Sequence, residues 1–114
     1  MKVYGIKNCD TVKKARAWLD DHGIEYEFVD FKKTPPSAEE IVRWCDALGV
    51  EKVLNRRGTT WKKFSESEQA RADTFHGTIA LLVAHPSAIK RPVVEIGSDY
   101  LVGFDEGAYQ VQFL

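Results

Sequence analysis

The sequence predicts an α/β fold, in which a four-stranded mixed sheet is interrupted by an α-helical insertion at about residues 35–85. Three observations predict this fold. A strand–helix–strand pattern occupies the first part of the chain, helical patterns follow one another in the middle, and a β-hairpin with a final helix closes it. By its length, the chain 1–114 is a single domain that can bury one hydrophobic core.

The N-terminal part has a β–α–β pattern. Residues 2–6 predict a short strand, and a turn at Lys7-Asn8 follows. The next segment has apolar residues at helical spacing, namely Val12, Ala15, Trp18 and Leu19. Gly23 predicts the end of this helix, because glycine is common just past a last helical turn. Residues 24–28 then alternate between apolar residues and glutamates, which is typical of a half-buried strand, and this strand is predicted to run to about residue 31.

A proline-rich loop opens the predicted insertion. Two consecutive prolines within residues 32–37 exclude a helix or a central strand there. Ser37 and Glu40 form an S-x-x-E pattern, which predicts a capping box at the start of a helix that runs to Gly49. A short turn is expected near residues 53–54.

Two more helices are predicted in the second half of the insertion. Ser65 and Glu68 repeat the S-x-x-E pattern at the start of the polar segment 65–72. A more apolar helix is expected over about 75–85, and it must end before Pro86.

The C-terminal part predicts a hairpin and a last helix. Residues 93–96 and 100–102 form its two strands, joined by a turn of about three residues, 97–99. Asp105 caps the final helix, which has the apolar residues Ala108, Tyr109 and Phe113 on one side. The order β–α–β, helical insertion, β–β–α is the plan of a thioredoxin-like fold, with the first two strands parallel and the hairpin antiparallel to them.

Bulk composition excludes several classes of function. The formal net charge of −1 indicates neither direct nucleic-acid binding nor a membrane-surface role. There is no apolar signal region at the N-terminus, and no apolar run approaches the roughly 20 residues of a membrane helix. Two distant cysteines without a nearby histidine predict neither a disulfide framework nor a metal site. We therefore expect a cytoplasmic protein with reduced thiols.

Cys9 is the candidate nucleophile. It directly follows a predicted strand and lies at the first turn of a helix, where unpaired amides and the helix dipole stabilise an anion such as a thiolate. Lys7 and Lys13 add nearby positive charge. The alternative is a small cysteine that fills the core, but its neighbours Asn8 and Asp10 are polar.

The residues three and six positions after Cys9 argue against two classes of cysteine enzyme. A C-x-x-C motif would need a cysteine where Val12 stands, so a redox cycle must use an external thiol such as glutathione. The phosphate loop of a low-molecular-weight tyrosine phosphatase would need arginine where Ala15 stands, and Arg16 comes one residue too late. Cys45 has helical spacing with apolar residues and is expected in the core, with a resolving thiol as the alternative.

Arginines supply the candidate anion-binding groups. Arg91 precedes Pro92 at the start of a strand, where thioredoxin-like proteins have a cis proline that packs against the active cysteine. The planar guanidinium of Arg91 would bind an oxyanion or a glutathione carboxylate, unless it is simply a surface residue. Arg56 and Arg57 are weaker candidates, because paired basic residues in a loop are often only solvated.

Five motifs together resemble one family. They are K-N-C-D-T at 7–11, T-P-P-S-x-E-E at 34–40, L-N-R-R-G at 54–58, H-P-x-x-x-x-R-P-V-V at 85–94 and V-G-F-D-E at 102–106. The chain resembles the arsenate reductase (ArsC)/Spx family over essentially its whole length, and within it the YffB-like branch. The resemblance implies a thioredoxin-like core with a helical insertion.

The resemblance also implies roles for individual residues. In the arsenate reductases of the family the cysteine attacks arsenate, and glutathione and glutaredoxin complete the reduction; Cys9 matches this cysteine. Arg56 and Arg91 match two of the three arginines that hold the oxyanion, while Gly103 stands at the third position. Losing one cation around a multiply charged anion costs on the order of a few kcal/mol if the contact is desolvated.

Three functions follow as expectations. The YffB-like branch implies a glutathione-dependent thiol reductase, with glutathione or the substrate bound near Cys9 by a set of five residues: Lys7, Asn8, Arg56, Arg91 and Pro92. An arsenate reductase coupled to glutathione and glutaredoxin is the first alternative. The second is a Spx-like regulator that binds RNA polymerase without catalysis, although Val12 removes the C-x-x-C switch of such regulators.

Overall fold

Four strands form one mixed sheet in the order β2-β1-β3-β4 in the computed structural model, which describes residues 1–114. The strands are β1 (Lys2–Gly5), β2 (Glu27–Asp30), β3 (Val93–Ile96) and β4 (Asp99–Val102). The helices are α1 (Asp10–Asp21), α2 (Ala38–Leu48), α3 (Val50–Val53), α4 (Thr59–Lys63), α5 (Glu66–Ala70), α6 (Phe75–Ala84) and α7 (Glu106–Phe113). Short 3₁₀ turns occupy Arg71–Asp73 and Pro86–Ala88. The predicted α/β class, with its mixed four-stranded sheet and helical insertion, is confirmed.

Residue contacts divide the chain into two compact units. The first, called the sheet unit, comprises Met1–Lys33 and Arg91–Leu114. The second, called the helical unit, is Thr34–Lys90. All four strands belong to the sheet unit together with α1 and α7, and the helical unit contains α2 to α6.

The sheet unit combines a parallel and two antiparallel strand pairs. β1 pairs in parallel with β2 and antiparallel with β3, and β3 continues into the antiparallel hairpin with β4. One face of the sheet packs against α1 and α7 through a buried cluster, which consists of Val3, Ala15, Trp18, Leu19, Val94 and Tyr109. The apolar positions that predicted α1 are thus the ones that bury it.

A Schellman motif ends α1. Gly23 has φ +67, which a residue with a side chain rarely adopts, and its amide donates to the carbonyl of Asp20 at 3.1 Å. The amide of Ile24 donates to the carbonyl of Leu19 at 3.0 Å. The prediction that Gly23 stops this helix is confirmed.

Two strand boundaries differ from the prediction. β2 begins at Glu27 rather than Ile24, because the register places Lys2 opposite Glu27 and β1 offers no partner to Ile24. The hairpin turn has two residues rather than three, since Asp99 pairs with Ile96. Gly97 has φ +59 as the first turn residue, which is typical of a type II′ turn.

The helical unit confirms the two predicted capping boxes and adds two short helices. Ser37 accepts a hydrogen bond from the Glu40 amide at the start of α2, and Ser65 does the same for Glu68 at α5. Neither α3 nor α4 was predicted, because four- and five-residue helices are too short to show a hydrophobic period. None of the helices combines the length and hydropathy needed to cross a lipid bilayer.

Candidate functional site

Three strand ends meet at one edge of the sheet. In the register, Tyr4 lies opposite Val93, and Val93 lies opposite Val102. The C-terminal ends of β1 and β4 therefore flank the N-terminal end of β3. The loop to α1 leaves the sheet at this edge, so Cys9 and Pro92 belong to segments that begin there. We call this region the sheet-edge site.

Cys9 is the N-cap residue of α1. Its backbone is extended, with φ −128° and ψ 124°, and its carbonyl accepts a hydrogen bond from the Lys13 amide at 2.9 Å. The side chain is half-buried and makes no capping hydrogen bond. The first amides of α1 consequently have no side-chain acceptor at the N-cap, and the positive end of the helix dipole is directed at this residue. Such a position suits a thiolate or an anion bound beside it.

Lys7 and Asn8 lie in the turn between β1 and Cys9, and both are exposed to solvent. Chain connectivity alone places them beside the cysteine. Val12, one helical turn further on, is completely buried, so the C-x-x-C position is part of the core. Any thiol that resolves a mixed disulfide at Cys9 must therefore come from outside the motif.

The Arg91-Pro92 peptide bond is cis, as the fold-level comparison led us to expect. Pro92 is buried, and its carbonyl oxygen accepts a 2.8 Å hydrogen bond from the Gly103 amide. Arg91 is half-buried and its Nε atom is fully enclosed. The expected packing of Pro92 on Cys9 and the binding role of Arg91 remain predictions.

Gly103 follows β4 at the same edge of the sheet. Its φ of +74° lies in the left-handed region, and its carbonyl accepts a 2.9 Å hydrogen bond from the Tyr109 hydroxyl. A Cβ atom at this position would have no heavy atom within 4 Å. The position where the resemblance places a third arginine is therefore spacious, but its backbone conformation favours glycine.

Arg56 lies in the helical unit, where its side chain already has two partners. Its Nε and Nη2 atoms donate to the two carboxylate oxygens of Glu51, both at 3.0 Å, and the guanidinium lies 4.7 Å from the centre of the Trp61 ring. The hydrogen bond from Arg56 lowers the pKa of the Glu51 carboxyl group, and the same bond raises the pKa of Arg56. Arg57 is exposed next to it, and its amide donates to the Asn55 side chain.

The sequence did not reveal the residues that contact Arg56 and Gly103. No sequence pattern links Glu51 to Arg56, because the two are five residues apart and Glu51 lies outside any predicted element. Trp61 lies on α4, which is too short to have a sequence signature. Tyr109 was predicted only as an apolar residue of the last helix. Its burial was therefore accessible from the sequence, but the hydrogen bond to Gly103 depends on the fold.

Cys45 is a core residue, as its helical spacing predicted. It is only 4% exposed within α2. Burial, and secondarily the negative charge of Asp46, raises the pKa of its thiol to about 11. The two cysteines thus have different environments, and neither belongs to a group of three or more side chains that could hold a metal ion.

Comparison with known proteins places the chain among related sequences. The sequence model of the ArsC family matches residues 4–112. An uncharacterized protein of Haemophilus influenzae is 37% identical over 97% of this chain and 96% of its own. The global transcriptional regulator Spx of Streptococcus pyogenes is 25% identical, over 87% of this chain and 74% of its own.

Solved structures agree with these relatives. The structure of a protein named YffB (PA3664) superposes with a TM-score of 0.91 at 48% identity, and the match covers 96% of both chains. An arsenate reductase (ArsC) related protein from Brucella melitensis is 44% identical, with a TM-score of 0.76 over 98% of this chain and 92% of its own.

Proposed function

Because the chain belongs to the ArsC family, we propose that it is a glutathione-dependent thiol reductase in which Cys9 is the single nucleophile. The observation that carries the proposal is the position of Cys9. It is a half-buried N-cap residue without a capping hydrogen bond, at the sheet edge where β1 and β4 end and β3 begins. A thiolate there is stabilised by the first amides and the dipole of α1.

The proposed reaction is a monothiol exchange. The Cys9 thiolate attacks the glutathione sulfur of a substrate–glutathione mixed disulfide, and the substrate thiolate leaves and takes up a proton. A second glutathione, as its thiolate, then attacks the glutathione sulfur of the Cys9 adduct. This step releases oxidised glutathione and regenerates the Cys9 thiolate. In sum, the mixed disulfide and one reduced glutathione give the substrate thiol and one oxidised glutathione, whose second half comes from the mixed disulfide.

Binding residues follow from the same sheet edge. The Arg91 guanidinium binds a glutathione carboxylate or an oxyanion of the substrate, and Lys7 adds positive charge. The backbone just before Pro92 pairs with the cysteinyl part of glutathione, in the manner of a peptide added to a sheet edge. Asn8 donates from the loop next to Cys9. Only the family resemblance adds Arg56, a residue of the helical unit, as a further anion-binding residue. The reaction needs the reduced glutathione of the cytoplasm.

Mass spectrometry after treatment with oxidised glutathione tests the proposal. We expect one glutathione adduct on Cys9 in the wild-type protein and in a Cys45→Ala variant, and none in Cys9→Ser. The adduct should disappear when reduced glutathione is added. A Cys9 that forms no adduct at neutral pH, in a protein shown to be folded, would overturn the proposal.

Arsenate reduction is a second candidate, because a structure that is 44% identical is described as arsenate reductase related. In this reaction the Cys9 sulfur bonds to arsenic as one arsenate oxygen leaves as water. Two thiols, supplied by glutathione with glutaredoxin, then form a disulfide and give the two electrons that reduce arsenate to arsenite. Gly103 leaves the site with one arginine fewer than the family's arsenate reductases. A direct assay with arsenate, glutathione and glutaredoxin decides the question, and absence of turnover excludes this activity.

Regulation of transcription is the candidate from another class of protein, since relatives named Spx share 25% identity with the chain. Such a function requires binding to RNA polymerase rather than turnover at Cys9. A pull-down with purified RNA polymerase tests it. Binding that Cys9→Ser retains favours a regulator, and absence of binding to the wild-type protein excludes one.

A further inference from the structure

Arg56 is held between a carboxylate and an aromatic ring within the helical unit. Glu51, on α3, accepts from the Nε and Nη2 atoms, and Trp61, on α4, lies under the guanidinium. The Asn55 side chain accepts from the Arg57 amide at 3.1 Å, which folds the intervening loop into a turn. The hydrogen bonds to Glu51 and the contact with the Trp61 ring thus together fix the orientation of the Arg56 side chain.

Glu51 occupies one of the two edges of the guanidinium that can bind an oxyanion through two N–H groups. Two parallel N–H donors on Nε and Nη2 match the two oxygens of a carboxylate or a phosphate. Five N–H groups are available on an arginine, and the bidentate contact with Glu51 uses two of them. A ligand anion that sought the same fork would meet the carboxylate of Glu51.

We propose that Glu51 is an internal competitor for the anion-binding site at Arg56, and that an external oxyanion or carboxylate binds by displacing it. The ring of Trp61 keeps the guanidinium in position during this exchange. The inference rests on the proposed function in so far as Arg56 binds an anionic group of the substrate or of glutathione. It adds that Glu51 controls the access of an anion to the Arg56 guanidinium.

Exposure makes the exchange feasible. The side chain of Glu51 is 71% exposed and that of Arg56 is 40% exposed, so water and solute anions reach the pair. Exposed ion pairs are weak, whereas the cation–π contact with Trp61 does not compete with an anion for the fork. Because the pKa of Glu51 is lowered, protonation does not release it at neutral pH. A solute anion can therefore compete with the Glu51 carboxylate for the Arg56 guanidinium at this pH.

NMR titration with inorganic phosphate at constant ionic strength tests the inference. The ¹⁵N resonance of Arg56 Nε reports directly on what the fork binds. We expect phosphate to shift this resonance, with a dissociation constant about two- to fivefold lower in Glu51→Gln than in the wild-type protein, as the loss of a weak exposed pair predicts. Glu39→Gln removes the same charge from an exposed site on α2 and should leave the constant unchanged.

Two further variants keep the outcome decisive. The side chain in Glu51→Asp is one methylene shorter, so its carboxylate cannot make both hydrogen bonds to Arg56. This variant should therefore also bind phosphate more tightly than the wild-type protein. Trp61→Leu should weaken it, because the guanidinium loses its support. The inference is overturned if Glu51→Gln behaves like Glu39→Gln, or if phosphate leaves the Arg56 Nε resonance unmoved.

The failure of this inference is distinguishable from that of the proposed function. The titration involves no thiol chemistry and gives the same result in a Cys9→Ser background. If Cys9 forms no glutathione adduct but phosphate still binds more tightly after Glu51→Gln, the proposed reductase function is excluded. The competition between Glu51 and an external anion is then still supported.

Discussion

The backbone amide of Gly103 donates a 2.8 Å hydrogen bond to the carbonyl oxygen of Pro92. This bond joins the end of β4 to the residue before β3, at the sheet edge from which the Cys9 loop also leaves. The next link is the Tyr109 hydroxyl, which donates to the Gly103 carbonyl at 2.9 Å. The Pro92 carbonyl and the hydroxyl of buried Tyr109 thus hold the backbone of residue 103, the position at which the family resemblance places an arginine.

Replacing Gly103 with arginine should destabilise the protein. The φ of +74° requires the left-handed conformation, which costs a residue with a side chain about 1–2 kcal/mol. Because no heavy atom lies within 4 Å of the Cβ position, no steric clash adds to this cost. Urea-induced unfolding of Gly103→Arg and of the matched Gly103→Ala should give similar losses. An arginine variant as stable as the wild-type protein would contradict the backbone argument.

Tyr109→Phe should lower the free energy of unfolding by about 1 kcal/mol. The substitution removes the hydroxyl that satisfies the Gly103 carbonyl, while the 1%-exposed ring still fills its place in the core. Burial also raises the pKa of the Tyr109 phenol, which is consistent with an enclosed hydroxyl. Tyr100→Phe, at a half-buried residue of β4, is the control in the same unfolding experiment. Equal losses in both variants would show that the hydrogen bond contributes nothing.

Local signals in the sequence were sufficient for most of the fold. The S-x-x-E patterns at Ser37 and Ser65 mark helix starts because the capping box depends on residues only three apart. Gly23 marks a helix end for the same reason, since its left-handed conformation is a property of one residue. The position of Cys9 before a helix was predicted by the apolar period that follows it.

What the sequence did not reveal depends on distant partners. The start of β2 is set by its register with β1, so alternation alone extended the strand back to Ile24. The partners of Arg56 lie on two short helices that have no sequence signature. The cis state of the Arg91-Pro92 bond was expected only by analogy with a fold, since most X-Pro bonds are trans.

Ser37→Ala should destabilise the protein more than Ser65→Ala. Ser37 accepts from the Glu40 amide at 3.1 Å and caps α2, which buries Ile41 and Trp44, so its loss should cost about 1 kcal/mol. Ser65 has the same geometry, but α5 is five residues long and buries no side chain. Thermal unfolding of the two variants measures the difference. A larger loss in Ser65→Ala would mean that capping matters more than the packing of the helix it starts.

Alkylation with iodoacetamide should distinguish the two cysteines. The thiolate is the reactive form, and a pKa of about 11 leaves about one Cys45 thiol in ten thousand ionised at pH 7. At 4% exposure Cys45 is also shielded from the reagent, whereas Cys9 is half-buried. Peptide mass spectrometry should therefore find Cys9 labelled first in the native protein and both cysteines labelled in urea. Equal native rates would contradict the assignment of Cys45 to the core.

The raised pKa of Cys45 also predicts a stability change at high pH. The thiol ionises near pH 9 in the unfolded chain and near pH 11 in the folded protein, so the folded state binds more protons between these values. The contribution of Cys45 is therefore fully present below pH 9 and is lost as the pH rises through 11, by on the order of 2 kcal/mol. Urea unfolding of the wild-type protein and of Cys45→Ala from pH 8 to pH 11 measures it. The wild-type protein should lose more stability over this range, because other titrating groups are common to both chains. Parallel pH profiles would mean that the Cys45 thiol ionises as easily in the folded protein as in the unfolded chain.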